Sequence, residues 1–239
     1  MSRVRGRLAL VTGAGSGIGR AIALALAVDG AHVCLTGRTA SKLEETARAV
    51  PAGAPSPRVM PADLTRDEDL LGLARELPEL EVLVLAAGEY ASGPVAETSV
   101  AAVDALYNAN VRGNYTLTRA CLPALRKQRG SLVFVNSSTG LNARPGVAPF
   151  SATNHALKAL ADGLREELAP DGVRVLSIYP GRTATPRLEA MYAQKGQTYK
   201  PELLLQPEDV AEVVLSALRL SENAEVTDIS LRPHLKSYS

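Results

Sequence analysis

LALVTGAGSGIGRAIALALAV, residues Leu8 to Val28, reads as an apolar run, a glycine-rich turn and a helix in that order. Leu8-Ala9-Leu10-Val11 has the length and composition of a buried strand. Ile18, Ile22 and Leu26 recur at helical spacing behind Gly13, Gly15, Gly17 and Gly19. A turn that hands a strand to a helix needs residues that tolerate positive φ, and a phosphate can lie against backbone N–H groups only where no Cβ intervenes. The helix start adds unpaired N–H donors and the positive end of the helix dipole. The spacing, Thr12-Gly13-x-x-x-Gly17-x-Gly19, differs from the G-x-G-x-x-G dinucleotide fingerprint. The stretch reads as a nucleotide-binding opening; a flexible loop is the other reading that four glycines allow.

The same rhythm continues outward. Asp29-Gly30 stops the helix, and Ala31–Thr36 follows as a strand. Ser41–Val50 is a predicted helix and Pro51–Pro57 (PAGAPSP) a stiff surface loop. Arg58-Val59-Met60 enters a third strand ending at Asp63-Leu64, and Asp67–Leu77 is helical. Val82–Leu85 is wholly apolar, as strands are when both faces of a parallel sheet are covered. Ser99–Arg126 is predicted as one long helical stretch and Leu132–Val135 as a fifth strand. A helix with Leu157, Leu160, Ala161, Leu164 and Leu168 on one stripe comes next. Val173–Ile178, the helix Pro207–Leu220 and Val226–Leu231 complete the pattern, an α/β doubly wound parallel sheet of about seven strands.

Bulk properties bound the partners. The 239 residues show no composition break, so one domain over residues 1–239 is expected. With 26 basic against 25 acidic residues there is no charge excess to suggest nucleic acid or an anionic membrane, and a small molecule is the expected partner. Cys34 and Cys121 are far apart, without CxxC spacing, and read as reduced core thiols. No signal segment or membrane span is evident, which points to the cytoplasm. His32, His155 and His234 are scattered, and no metal site is expected.

The glycine spacing resembles that of the short-chain dehydrogenase/reductase family, and further motifs of that family recur in order along the chain. Its fold would be a single-domain Rossmann-like sheet flanked by helices. The resemblance places Gly13, Ser16, Gly17, Ile18 and Gly19 around a cofactor pyrophosphate. Gly37-Arg38 stands where a dinucleotide fold holds an acid for the ribose of NAD or an Arg for the 2′-phosphate of NADP. No acid neighbours Arg38 in sequence, so NADP(H) is expected over NAD(H), a solvated surface Arg being the other reading. Asp63-Leu64 resembles the adenine contact. Ala86-Ala87-Gly88 resembles the N-A-G turn beside the cofactor, with Ala86 in place of Asn. Asn110-Val111-Arg112-Gly113 resembles N-V-x-G, whose Asn organises a water chain. Ser137 matches the serine that hydrogen-bonds the substrate oxygen. Pro180, Gly181, Thr183 and Thr185 resemble the turn that meets the nicotinamide carboxamide. Pro186–Lys200, with Met191, Tyr192 and Tyr199, is expected to be a flap over the substrate.

One motif departs from the pattern. Where the family carries Y-x-x-x-K, this chain reads Phe150-Ser151-Ala152-Thr153-Asn154. The i, i+4 spacing puts both side chains on one helix face, where the lysine would hold the nicotinamide ribose and lower the tyrosine pKa. Phe150 keeps the ring without its proton, and Asn154 keeps hydrogen bonding without charge. Lys158 lies about 6 Å further along the helix, and His155 is turned about 100° from Asn154. The placement of Tyr90, Ser92, Asn142 and Arg144 is not readable from spacing, and no replacement acid is identifiable. The resemblance therefore implies an oxidoreductase that moves hydride between NADP(H) and a small carbonyl or alcohol with an altered or defective proton relay. The alternatives are a catalytically silent NADP-binding sensor or partner subunit, or an inactivated form of an active reductase. Helices Ser99–Arg126 and Phe150–Ala169, with Ala156, Ala159 and Ala161, are expected to pack against symmetry mates in a homodimer or homotetramer.

Overall fold

The computed structural model describes residues 3–234. The apolar runs become β1 (Leu8–Thr12), β2 (His32–Gly37), β3 (Arg58–Pro61), β4 (Val82–Leu85), β5 (Ser131–Val135), β6 (Arg174–Pro180) and β7 (Asp228–Leu231). They form one parallel seven-stranded sheet in the order β3-β2-β1-β4-β5-β6-β7. The helices are α1 (Gly17–Val28), α2 (Ala40–Arg48), α3 (Asp67–Glu76), α4 (Val100–Tyr107), α5 (Asn114–Gln128), α6 (Ala148–Leu168), α7 (Pro186–Gln194) and α8 (Pro207–Leu218).

The strand alternation of period two sorts the core into two layers. Ala9, Val11, Val33, Val84 and Val133 face Ile22 and Leu26 of α1 and Val210 and Val214 of α8. Leu10, Cys34, Leu83, Leu132 and Phe134 face Leu70 of α3, Leu117 of α5 and Leu157, Ala161, Leu164 and Leu168 of α6. Continuous apolar strands are thus covered on both sides, which is why they show no polar alternation. The strand order reverses between β1 and β4, and the C-terminal strand ends there open a crevice.

Three details differ from the sequence reading. The stretch Ser99–Arg126 is not one regular α-helix, because a π-helical turn, Asn108–Gly113, separates α4 from α5. Such a turn re-aims side chains around it, and here it presents Asn110 to the crevice. The third strand ends at Pro61, so Asp63 and Leu64 lie on the following loop. Ala161 is fully buried against the sheet and offers nothing to a symmetry mate.

Cys34 and Cys121 are buried free thiols. Burial pushes the Cys121 pKa up to about 12 and raises that of Cys34 as well. No helix among the described residues is long and apolar enough to cross a membrane.

The glycine turn leaves almost no room. A Cβ on Gly19 would lie 2.7 Å from the Gly13 carbonyl carbon and 2.9 Å from the Thr12 oxygen. Both obstacles are backbone, so neither can swing aside. Gly19→Ala is expected to destabilise the fold by about 1–3 kcal/mol, the usual cost of overpacking; urea unfolding at the wild-type midpoint would contradict it.

Candidate active site

The crevice has a volume of about 1160 Å³. Its floor is the β1–α1 turn, with Gly13, Ser16, Gly17, Ile18 and Gly19. Gly13 (φ 66°) and Gly17 (φ 52°) both adopt the left-handed region. A Cβ on Gly13 would stand 3.0 Å from Ala87 Cα, and one on Gly17 would stand 3.0 Å from Thr185 Cγ2. Ser16 is the N-cap of α1, and its side chain makes no capping bond, which leaves N–H groups at the helix start open to a ligand. Thr12 ties this floor to the next wall, its hydroxyl accepting from Ala86 N (2.9 Å) and Ala87 N (3.0 Å).

All the site positions read from sequence line this crevice: the glycine turn, Arg38, Asp63, Leu64, Ala87, Gly88, Asn110, Ser137, Phe150, Asn154, Pro180, Gly181, Thr183 and Thr185. Tyr90, Asn142 and Arg144 line it too. Asp63 Oδ1 accepts from the backbone N–H and the hydroxyl of Thr65, both at 2.8 Å. The backbone bond first, then the hydroxyl and the charges of Arg38 and Arg66, lower the Asp63 pKa against burial. Thr185 caps α7 by accepting from Leu188 N, and α7 brings Leu188, Met191 and Tyr192 to the crevice.

A family model described as short chain dehydrogenase matches residues 7–196. The chain belongs to the short-chain dehydrogenase/reductase family. An uncharacterized oxidoreductase of Staphylococcus aureus strain MRSA252 is 34% identical over 238 residues, 98% of this chain and all of that one. Among solved structures, an alcohol dehydrogenase from the archaeon Thermococcus sibiricus complexed with 5-hydroxy-NADP superposes with TM-score 0.87 at 25% identity. The match covers 98% of this chain and 100% of that one. A metagenomic short-chain oxidoreductase in complex with NADP gives TM-score 0.83 at 29% identity, covering 98% and 99%.

In this short-chain dehydrogenase/reductase the wall opposite the glycine turn is built from amides. The Phe150 ring meets Tyr90 edge-on, centroids 4.9 Å apart. Asn154, 4% exposed, donates through Nδ2 to the Phe150 carbonyl at 2.8 Å. Asn110 Oδ1 accepts from Glu89 N (2.7 Å), while its Nδ2 donates to Glu89 O (3.0 Å) and Thr153 Oγ1 (3.2 Å). The backbone carbonyl of Asn110 accepts from Asn114 Nδ2 at 2.7 Å, and the buried Asn114 Oδ1 has no protein partner. Ser137 Oγ accepts from Thr139 N and Thr139 Oγ1, so its own proton is directed elsewhere. Lys158 pairs with Asp162 at 2.6 Å, and His155 Nδ1 lies 2.9 Å from Ser151 O on an exposed position. Neither lines the crevice: His155 is turned about 100° from Asn154, and Lys158 lies a further turn along the helix.

Several contributors escaped the sequence reading. Glu89 ion-pairs with Arg38 at 2.7 Å, so an acid does stand beside Arg38 in space. The available signal was strand order: β2 and β4 both flank β1, so residues just past their ends converge. Asn114, one helical turn after Asn110, follows the i, i+4 rule that could have paired them. Asn136 pins the serine loop to α6, its Oδ1 accepting from Ser137 N (2.7 Å) and its Nδ2 donating to Asn154 O (3.0 Å). Ser92 is not among the lining residues. No group of three or more His, Cys, Asp or Glu among the described residues could hold a metal ion.

Asn136 is 9% exposed, and its removal strands Ser137 N–H. Asn136→Ala is expected to cost about 1–3 kcal/mol, read by urea denaturation. An unchanged midpoint would mean that water replaces the amide at no cost.

Proposed function

We propose that this chain is an NADP(H)-binding reductase that moves hydride to or from a small carbonyl or alcohol, with an altered proton relay. One observation carries the reading: a crevice floored by glycines whose added Cβ atoms would strike neighbouring protein atoms is also lined by Phe150 and Asn154 at the positions of the family's relay pair. The NADP-complexed neighbours support the cofactor class.

Gly13, Ser16, Gly17, Ile18 and Gly19 would hold the pyrophosphate on backbone N–H groups. Arg38 would take the 2′-phosphate, favouring NADP(H) over NAD(H). Asp63 and Leu64 would meet the adenine, with Ala87 and Gly88 along the adenosine side. Pro180, Gly181, Thr183 and Thr185 would flank the nicotinamide, and Asn154 would offer its amide to the ribose. When bound, the cofactor supplies or accepts the hydride.

The chain's own residues then govern the proton. Ser137 would donate to the substrate oxygen, and residues 186–200 would cover it as a flap. Phe150 fills the position of the proton-donating ring with a group that cannot titrate. Asn154 brings no cation to lower a neighbouring phenol, and the Asn110 carbonyl is already engaged by Asn114. General acid–base catalysis contributes about 10² to 10⁴-fold, so slow reduction survives where Ser137 or Tyr90 lends a hydroxyl. Tyr90 is the candidate because its ring contacts Phe150.

The test uses unmodified protein, Phe150→Tyr, Asn154→Lys and the double variant with one carbonyl/alcohol pair. The single Phe150→Tyr change is expected to gain little. A phenol near its ordinary pKa of about 10 can donate a proton but is a poor base at neutral pH. The double variant is expected to raise reduction modestly and alcohol oxidation much more. Tyr90→Phe is expected to lower residual reduction at least about tenfold. Unmodified protein as fast as the double variant would refute an altered relay. Binding without turnover in every variant is the result expected of a silent binder.

We also propose a homodimer or homotetramer. Val100, Val103 and Tyr107 recur on one side of α4, and Tyr115 continues the exposed apolar surface on α5; Val100 is 75% exposed. Ala156 and Ala159 leave α6 accessible for close approach. Light scattering is expected to report an oligomer at micromolar concentration, and Tyr107→Glu to weaken it; a monomeric unmodified protein would overturn the assembly.

A further inference from the structure

We propose that Glu89 is a second cofactor-specificity residue, one that opposes Arg38. The inference rests on the NADP(H) reading above and concerns a residue that reading does not use.

Arg38 follows β2 and Glu89 lies in the segment after β4, and the two side chains meet at 2.7 Å, NH2 to Oε1. The Arg38 side chain is 66% exposed and that of Glu89 38%, so neither is locked by packing. The backbone of Glu89, however, is held on both sides, its N–H and its carbonyl both bonded to the Asn110 side chain. Asn110 is itself 3% exposed. The Glu89 backbone therefore stays in place when the ion pair opens, and its carboxylate stays within side-chain reach of Arg38.

Arg38 is the cation that Glu89 engages directly. Lys42 and Asp63 line the crevice as well, and Arg112 lines an adjoining pocket with Arg38 and Glu89 while paired with Asp67. A 2′-phosphate needs the guanidinium that Glu89 already holds, so two anions compete for one cation. A phosphate seated on Arg38 would also lie within a Debye length of the Glu89 carboxylate, which would repel it. A 2′-hydroxyl has no such conflict, because the Arg38–Glu89 pair can remain closed and a carboxylate oxygen can accept from the hydroxyl. Glu89 thus narrows the preference that Arg38 alone would confer.

The experiment is calorimetric titration of NADP+ and NAD+ into unmodified protein, Glu89→Gln, Arg38→Ala and the double variant, with thermal unfolding to verify each fold. Glu89→Gln keeps the length and hydrogen bonding of the side chain and removes only its charge. It is expected to tighten NADP+ about five- to twentyfold through release of Arg38 and loss of repulsion. NAD+ affinity is expected to change less than about twofold, since no charge meets its 2′ position. The NADP+ gain is expected to shrink in the Arg38→Ala background, where only direct repulsion remains. An unchanged NADP+/NAD+ affinity ratio in Glu89→Gln, with the Arg38→Ala loss intact, overturns the role of Glu89 alone. A gain of the same size with and without Arg38 overturns the competition between Glu89 and phosphate. No loss of NADP+ affinity in Arg38→Ala shows instead that the parent reading of Arg38 is at fault, and Glu89 falls with it.

Discussion

The crevice depends on how closely two backbones approach each other. The turn after β1 meets the loop after β4 where Gly13 has no Cβ, and the Thr12 hydroxyl accepts from two consecutive N–H groups of that loop. Those N–H groups lie at the end of a parallel strand, where the ladder can no longer pair them and a side chain must. Thr12 is buried, so the bonds form away from competing water. With this seam closed, α1 points its N-terminus into the crevice. Residues following β2, β4, β5 and β6 then become its other walls.

The opposite wall is a network of neutral amides. Asn110, Asn114, Asn136 and Asn154 are all buried, and each spends part of its capacity on backbone: Glu89, Asn110, Ser137 with Asn154, and Phe150 respectively. The π-helical turn makes this possible by setting Asn110 toward Glu89 while Asn114 reaches back to the Asn110 carbonyl. A neutral network of this kind fixes loop geometry without the desolvation cost of a buried cation. It positions Ser137 and Phe150 firmly, and it carries no charge with which to tune a phenol. The wall is a well-ordered scaffold, and its amides hold the surrounding loops through hydrogen bonds rather than ion pairs.

Much of this was legible in the residues alone. The seven strands, the helices between them and the covered faces followed from apolar runs and periodicity, because burial on both sides of a parallel sheet leaves a local signature. The glycine turn was legible because its constraint is local: no other residue fits a Cβ-free approach at positive φ. The shared helix face of Phe150 and Asn154 was legible for the same reason, since residues four apart lie together by spacing alone. Local periodicity could not show the π-helical turn inside Ser99–Arg126, which one extra residue per turn creates from an otherwise ordinary helical sequence.

Which distant side chains share a cleft is set by the topology of the sheet. Arg38 and Glu89 are separated by two helices and two strands, and their ion pair exists because β2 and β4 are both neighbours of β1. Tyr90 and Phe150 meet because the segment after β4 and the start of α6, which follows β5, lie over adjacent parallel strands. Neither contact has a spacing rule, since strand order rather than sequence distance sets it. Short-range backbone geometry accounts for the elements, the glycine turn and the helix face shared by Phe150 and Asn154, and all three were legible in the residues themselves. The folded sheet decided the electrostatic partner of Arg38 and the aromatic partner of Phe150, because those depend on which strand ends the topology brings together.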